Sequence, residues 1–156
     1  MKNFVAAAVL TACLALPRDV AASPVTLNVT LKQFGGYSAY VALYLTDPQG
    51  KYVDTLWMAG RRSGYYRHMG GWMRATRGQA NLDGITGASV GAGQTLTVHA
   101  DLADALIDAG YTIQADVVSE DMSDSPSDIR VPLTTKDAGH KFRGRAYIGT
   151  FSYSLP

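Results

Sequence analysis

Cysteine is nearly absent from this chain: 156 residues contain one, Cys13. A lone thiol builds no internal disulfide framework. Charge of one sign is equally scarce, with 17% charged residues and a formal net charge of +1. That leaves no basic excess to neutralise phosphates along a duplex, which argues against a nucleic-acid binder. Membrane-length apolar runs are missing too. The run from Phe4 to Leu16 has 13 residues, short of the about 20 that a span requires. Internal repeats, low-complexity tracts and signs of a second domain are all lacking. What remains is an ordinary globular composition, 47% hydrophobic, enough for one core in one domain.

Residues 1–22 read as a cleaved signal peptide, leaving residues 23–156 as a single domain. Lys2 gives the positive start, Phe4 to Leu16 the apolar stretch, and Val20-Ala21-Ala22 a small-residue cleavage site before Ser23. Leu10-Thr11-Ala12-Cys13 offers a lipoprotein box as the alternative, although the apolar stretch before it is very short and Leu14-Ala15-Leu16 follows the cysteine. Cleavage near Ala22 leaves 134 residues with twelve basic against twelve acidic side chains and no thiol. Cysteine nucleophiles, disulfide exchange and Cys-ligated clusters are then excluded together.

Period-two alternation dominates the mature chain. Val25, Leu27, Val29 and Leu31 interleave with polar residues, and Tyr37, Ala39, Val41, Leu43 and Leu45 follow on one face with Tyr40 and Tyr44 on the other. The Gly35-Gly36 break between them predicts a hairpin. Further strands are expected over Tyr52 to Met58, around Leu96 and Val98, over Tyr111 to Val118, at Ile129 to Leu133 and from Phe142 to Tyr153. Pro132 suggests an edge strand. An acidic loop spans Ser119 to Asp128, and Asp101 to Asp108 suits a short helix. About seven strands with short connections predict an antiparallel, immunoglobulin-like β-sandwich with a short helical insertion in the middle.

That insertion is the least generic part. Arg61, Arg62, Arg67, Arg74 and Arg77 fall between Asp54 and Asp83 with no carboxylate among them, interleaved with Tyr65, Tyr66 and Trp72. Arginine forks bind phosphate and aromatic faces stack on flat rings. A solvated face pairing with Asp121 and Asp124 is the bland counterpart. His68, Met69 and Met73 lie close enough to suggest periplasmic copper, against a core-facing Met pair beside a polar histidine. No zinc spacing, nucleophile elbow or glycosidase carboxylate pair is present.

Next comes Asp83-Gly84-Ile85-Thr86-Gly87-Ala88-Ser89. It resembles the D-x-x-[S/T]-G-A-[S/T] motif on which periplasmic flavin transferases attach FMN. The resemblance makes Ser89 the covalent acceptor, in place of the more usual Thr, with Asp83, Gly84, Thr86, Gly87 and Ala88 around it. A chance match in a chain this long has a probability on the order of one in a thousand at average residue usage, and the Gly- and Ala-rich composition raises it several-fold. A hydroxyl acceptor needs an accessible loop, which the glycines suit. Arg61, Arg62, Arg67, Arg74 and Arg77 are candidates for neutralising the phosphodiester, and Tyr65, Tyr66 or Trp72 for covering the ring, with Tyr65 and Trp72 preferred. An Asp-Gly turn with a helix-capping Ser or Thr would favour the same residues.

The order of signal peptide, early hairpin, Y-V-D-T-L-W-M-A-G, Y-Y-R-H-M-G-G-W-M-R-A, D-G-I-T-G-A-S and a later A-G-Y-T-I strand resembles the DUF2271 family of predicted periplasmic proteins over nearly the whole mature chain. Its association with PepSY-type membrane proteins and FAD:protein FMN transferases implies extracytoplasmic electron transfer, with iron reduction as a candidate role. The expectation is a periplasmic flavoprotein with covalent FMN, a carrier rather than a stand-alone enzyme. The alternative is a cofactor-free binding module using the arginine–aromatic surface.

Overall fold

Alternation makes the first strand, and the computed structural model, which describes residues 20–156, places it at the centre of a sheet. The export signal expected over residues 1–22 lies almost wholly outside the described residues. Ala22 already opens β1 (Ala22–Leu31), which runs antiparallel between β5 (Thr95–Ala103) and β8 (Ile148–Ser154). The second sheet has the order β4-β3-β2-β6-β7: Thr86–Gly87, Tyr52–Ala59, Ala39–Thr46, Thr112–Ser119 and Ser125–Pro132. All pairings are antiparallel except the short β3–β4 contact. Val25, Leu27 and Val29 of one sheet and Val41, Leu43 and Ile113 of the other are completely buried, so the two sheets close on one core. The chain is an all-β sandwich.

The expected β1–β2 hairpin does not form. β1 pairs with β5 and β8, while β2 pairs with β3 and β6, and the Gly35-Gly36 segment crosses between the sheets. Gly36 takes φ +88° there. Three smaller expectations also shift. The closing strand starts at Ile148, with Phe142 joined to it by one bridge to Phe151. The helix expected at Asp101 to Asp108 is a single 3-10 turn, Asp104–Leu106, after β5. The acidic loop is shorter because β7 begins at Ser125. Pro132 does end an edge strand, where its missing N–H costs least.

Every residue of β2 is buried, because the insertion covers the outer face of its sheet. A 3-10 segment (Ser63–His68) leads into α1 (Gly70–Thr76). Met69 and Trp72 pack there against Tyr40, Ala42, Tyr44 and Met58 as a second core. The buried Asp116 carboxylate holds this layer in place. It accepts from the Trp72 backbone N–H at 2.6 Å, the Tyr44 hydroxyl at 3.0 Å and the Ser127 N–H at 2.8 Å.

Burial, and after it the charge of Asp116, pushes the Tyr44 hydroxyl well above its ordinary value. The folded state therefore favours the protonated form. The resulting stability is complete below about pH 10, where an unfolded tyrosine ionises, and drains away at higher pH. Denaturant midpoints are expected to hold up to pH 9 and fall above 10, with a shallower fall in Tyr44→Phe. Parallel alkaline slopes for the two proteins would contradict this assignment.

Candidate functional site

Ser89 sits on a two-residue span held at both ends. On one side, β4 lies along β3, with Gly60 N–H donating to Gly87 O at 2.8 Å. On the other, Val90 and Ala39 exchange backbone hydrogen bonds of 2.8 and 2.7 Å. Ala88 and Ser89 are exposed between these anchors. The Ser89 hydroxyl is thus presented on a pinned ridge, not on the loose loop that the glycines suggest. Gly87 is required for packing: a Cβ there would stand 2.8 Å from Cζ2 of Trp57.

Asp83 and Gly84 occupy an ordinary turn closed by Ile85 N–H donating to Leu82 O at 3.2 Å, with Gly84 at φ +76°. No helix follows, so the motif contains no helix cap. Asp83, Gly84 and Thr86 line neither of the two hollows that Ser89 borders.

The larger hollow has a volume of about 510 Å³, within the range of about 300–1,000 Å³ usual for small-molecule sites. Tyr37, Ser38, Tyr40, Arg61, Arg62, Ala88, Ser89 and Glu120 line it. Arg62 lies 3.9 Å from Glu120 with its side chain 76% exposed. Such a pair is worth at most about 1 kcal/mol, so Arg62 is readily recruited by a stronger anion.

The insertion divides the five arginines. Arg61 and Arg62 face Ser89. Arg67 borders two other hollows and not that of Ser89, Arg74 is exposed on α1, and Arg77 ends that helix in a left-handed conformation at φ 54°. Tyr65 stands one ring behind the cleft, stacked on Tyr40 at 5.3 Å and 19°. Trp72 is 3% exposed and its indole N–H donates to Thr55 Oγ1 at 3.0 Å, so it belongs to the second core and not to the Ser89 surface. Burial, with Tyr40 beside it, pushes the Tyr66 hydroxyl up, and this hydroxyl donates to Gly60 O at 2.7 Å.

Met69 is fully buried in that same core, while His68 is exposed. No group of three His, Cys, Asp or Glu side chains suited to a metal occurs among the described residues.

Sequence reasoning did not place Tyr37, Tyr40, Glu120 or Trp57 at this site. The Met69, Trp72, Thr76 spacing of three and four was the available sign that Trp72 faces a core. A family model described as a predicted periplasmic protein (DUF2271) matches residues 22–150. The chain belongs to the DUF2271 family. No curated protein and no solved structure matches it. A periplasmic location agrees with the DUF2271 description, and no helix among the described residues is long and apolar enough to cross a membrane.

Proposed function

We propose that this DUF2271 domain is a periplasmic electron carrier with FMN esterified to Ser89. The supporting observation is the placement of an exposed hydroxyl on a pinned ridge beside Arg61 and Arg62, in a cleft large enough for a cofactor. The residues fit the group. Ser89 Oγ takes the place of AMP on the flavin phosphate of FAD, AMP leaves, and the hydroxyl proton passes to solvent. Arg61 and Arg62 hold the phosphodiester charge, with Arg62 exchanging Glu120 for it. The backbone anchors at Gly87 and Val90 fix the point of attachment. FMN, once bound, supplies one- and two-electron transfer that no side chain of this thiol-free domain offers. An FAD:protein FMN transferase is the modifying partner and a PepSY-type membrane protein the redox partner, with iron reduction as a candidate outlet.

Co-expression of residues 23–156 with an FAD:protein FMN transferase tests this. The intact mass is expected to rise by one FMN less one water, with a yellow product. Ser89→Ala is expected to abolish the gain and Ser89→Thr to retain it. An unmodified wild type, or a gain that persists in Ser89→Ala, removes the proposal. A colourless protein that still binds anions through Arg61 and Arg62 would favour a cofactor-free binding module.

A further inference from the structure

Ser89 and Ala88 border a second hollow, of about 310 Å³, on the opposite side of the ridge. Its walls are Trp57, Gly87, Val90, Gln94 and Leu96, with no cation among its lining residues. The two sides therefore differ in kind. One offers Arg61 and Arg62 to a phosphate, and the other offers an indole and aliphatic surface to an uncharged flat group.

Trp57 reaches this position through a bulge. Leu43 pairs with Trp57 and Tyr44 with Thr55, leaving Leu56 unpaired, so Trp57 packs from the main-core side of β3. It is half-buried and fixed by that packing. Its indole N–H is covered and has no acceptor among the described residues. Buried donors without partners are uncommon, so Trp57 is held here by its packing rather than by a hydrogen bond.

The aromatics on the cationic side are less suited to a ring. Tyr40 is 4% exposed and already stacked on Tyr65, so it has no free face. Tyr37 is 63% exposed on the crossover between the sheets.

We infer that Trp57 is the ring-contacting residue: the planar ring of a flavin attached to Ser89 lies over its indole in the 310 Å³ hollow, while the phosphate stays on the Arg61–Arg62 side. This rests on attachment at Ser89 and adds the side of the ridge on which the ring lies. A stacked indole quenches flavin emission. The Trp57 indole resonance is also expected to move on loading, whereas that of Trp72, bonded to Thr55, serves as an internal control.

Wild type, Trp57→Phe and Trp57→Leu, each loaded by the transferase, are compared by intact mass, flavin fluorescence and ¹H–¹⁵N spectra. Equal mass gain is expected in all three. Flavin emission per bound FMN is expected to rise several-fold in Trp57→Leu and less in Trp57→Phe, and the Trp57 indole peak is expected to shift in wild type while the Trp72 peak stays. Equal emission with an unmoved Trp57 peak overturns the inference and leaves Ser89 attachment standing. Wild type without a mass gain overturns both. If Trp57→Leu does not fold, the wild-type indole peaks decide alone.

Discussion

Asp128→Ala is expected to lower stability by about 3–5 kcal/mol, the cost of leaving several buried hydrogen-bond donors without their acceptor. Asp128 is 1% exposed. Its Oδ1 accepts from Ser125 Oγ at 2.7 Å, Ala146 N–H at 2.6 Å and Tyr147 N–H at 3.3 Å, and its Oδ2 accepts from Ile148 N–H at 2.7 Å. Asp128 belongs to β7 of one sheet, and Ile148 opens β8 of the other, so one carboxylate fastens the two sheets at this end. Gly144 approaches the same carboxylate so closely that a Cβ would stand 2.6 Å from Oδ2. Alanine at 128 leaves the Tyr147 and Ile148 N–H groups buried without acceptors. At about 3–5 °C per kcal/mol for a domain of this size, the melting temperature should fall by roughly 10–20 °C. Asp128→Asn keeps one acceptor oxygen and is expected to fall between alanine and wild type. A calorimetric loss below about 1 kcal/mol for the alanine variant would show that the carboxylate does not fasten the sheets.

Most strands were legible because each carries its own alternation: Val25 to Leu31 declares a face without reference to any partner. Pairing was not legible for the same reason. Alternation fixes which side chains point inward and says nothing about which neighbour supplies the hydrogen bonds. Gly35-Gly36 permits either a hairpin or a crossing, and β1 found its partners in β5 and β8 instead. Tyr40 and Tyr44 were correctly placed on the face of β2 away from Ala39 and Val41, but alternation does not say what covers that face. Only the fold of the insertion shows that Met69 and Trp72 cover it.

The candidate site was readable at one end. The motif locates Ser89, which the fold exposes beside two of the five arginines. The rest depended on features without a local signature. The bulge at Leu56 turns Trp57 to the other side of β3, and a 3-10 segment followed by a helix scatters Arg67, Arg74 and Arg77 away from Ser89. Charge clustered along a sequence disperses when the segment coils.

Gly60→Ala is expected to damage stability and the site together. Gly60 has φ +118°, which side-chain-bearing residues rarely adopt, and its Cβ would stand 2.0 Å from Cδ1 of Tyr40 and 2.3 Å from Cε1. Backbone strain of about 1–3 kcal/mol and overpacking of similar size predict a loss of about 3–5 kcal/mol. The residue also joins three parts of the site. Its N–H donates to Gly87 O, its carbonyl accepts from the Tyr66 hydroxyl, and the Tyr40 ring beneath it forms a wall of the Ser89 cleft. A displaced Tyr40 must also disturb its stack with Tyr65. Tyr40→Ala in the Gly60→Ala background removes the Cγ, Cδ1 and Cε1 atoms that the new Cβ would meet and leaves the backbone strain. Denaturant midpoints of the two single variants and the double variant should therefore show favourable coupling of about 1–3 kcal/mol. Additive losses would mean that the backbone angle alone requires glycine. Coupling, accompanied by weaker FMN loading in Gly60→Ala than in the double variant, would locate the requirement in the contact between Gly60 and the tyrosine wall beside Ser89.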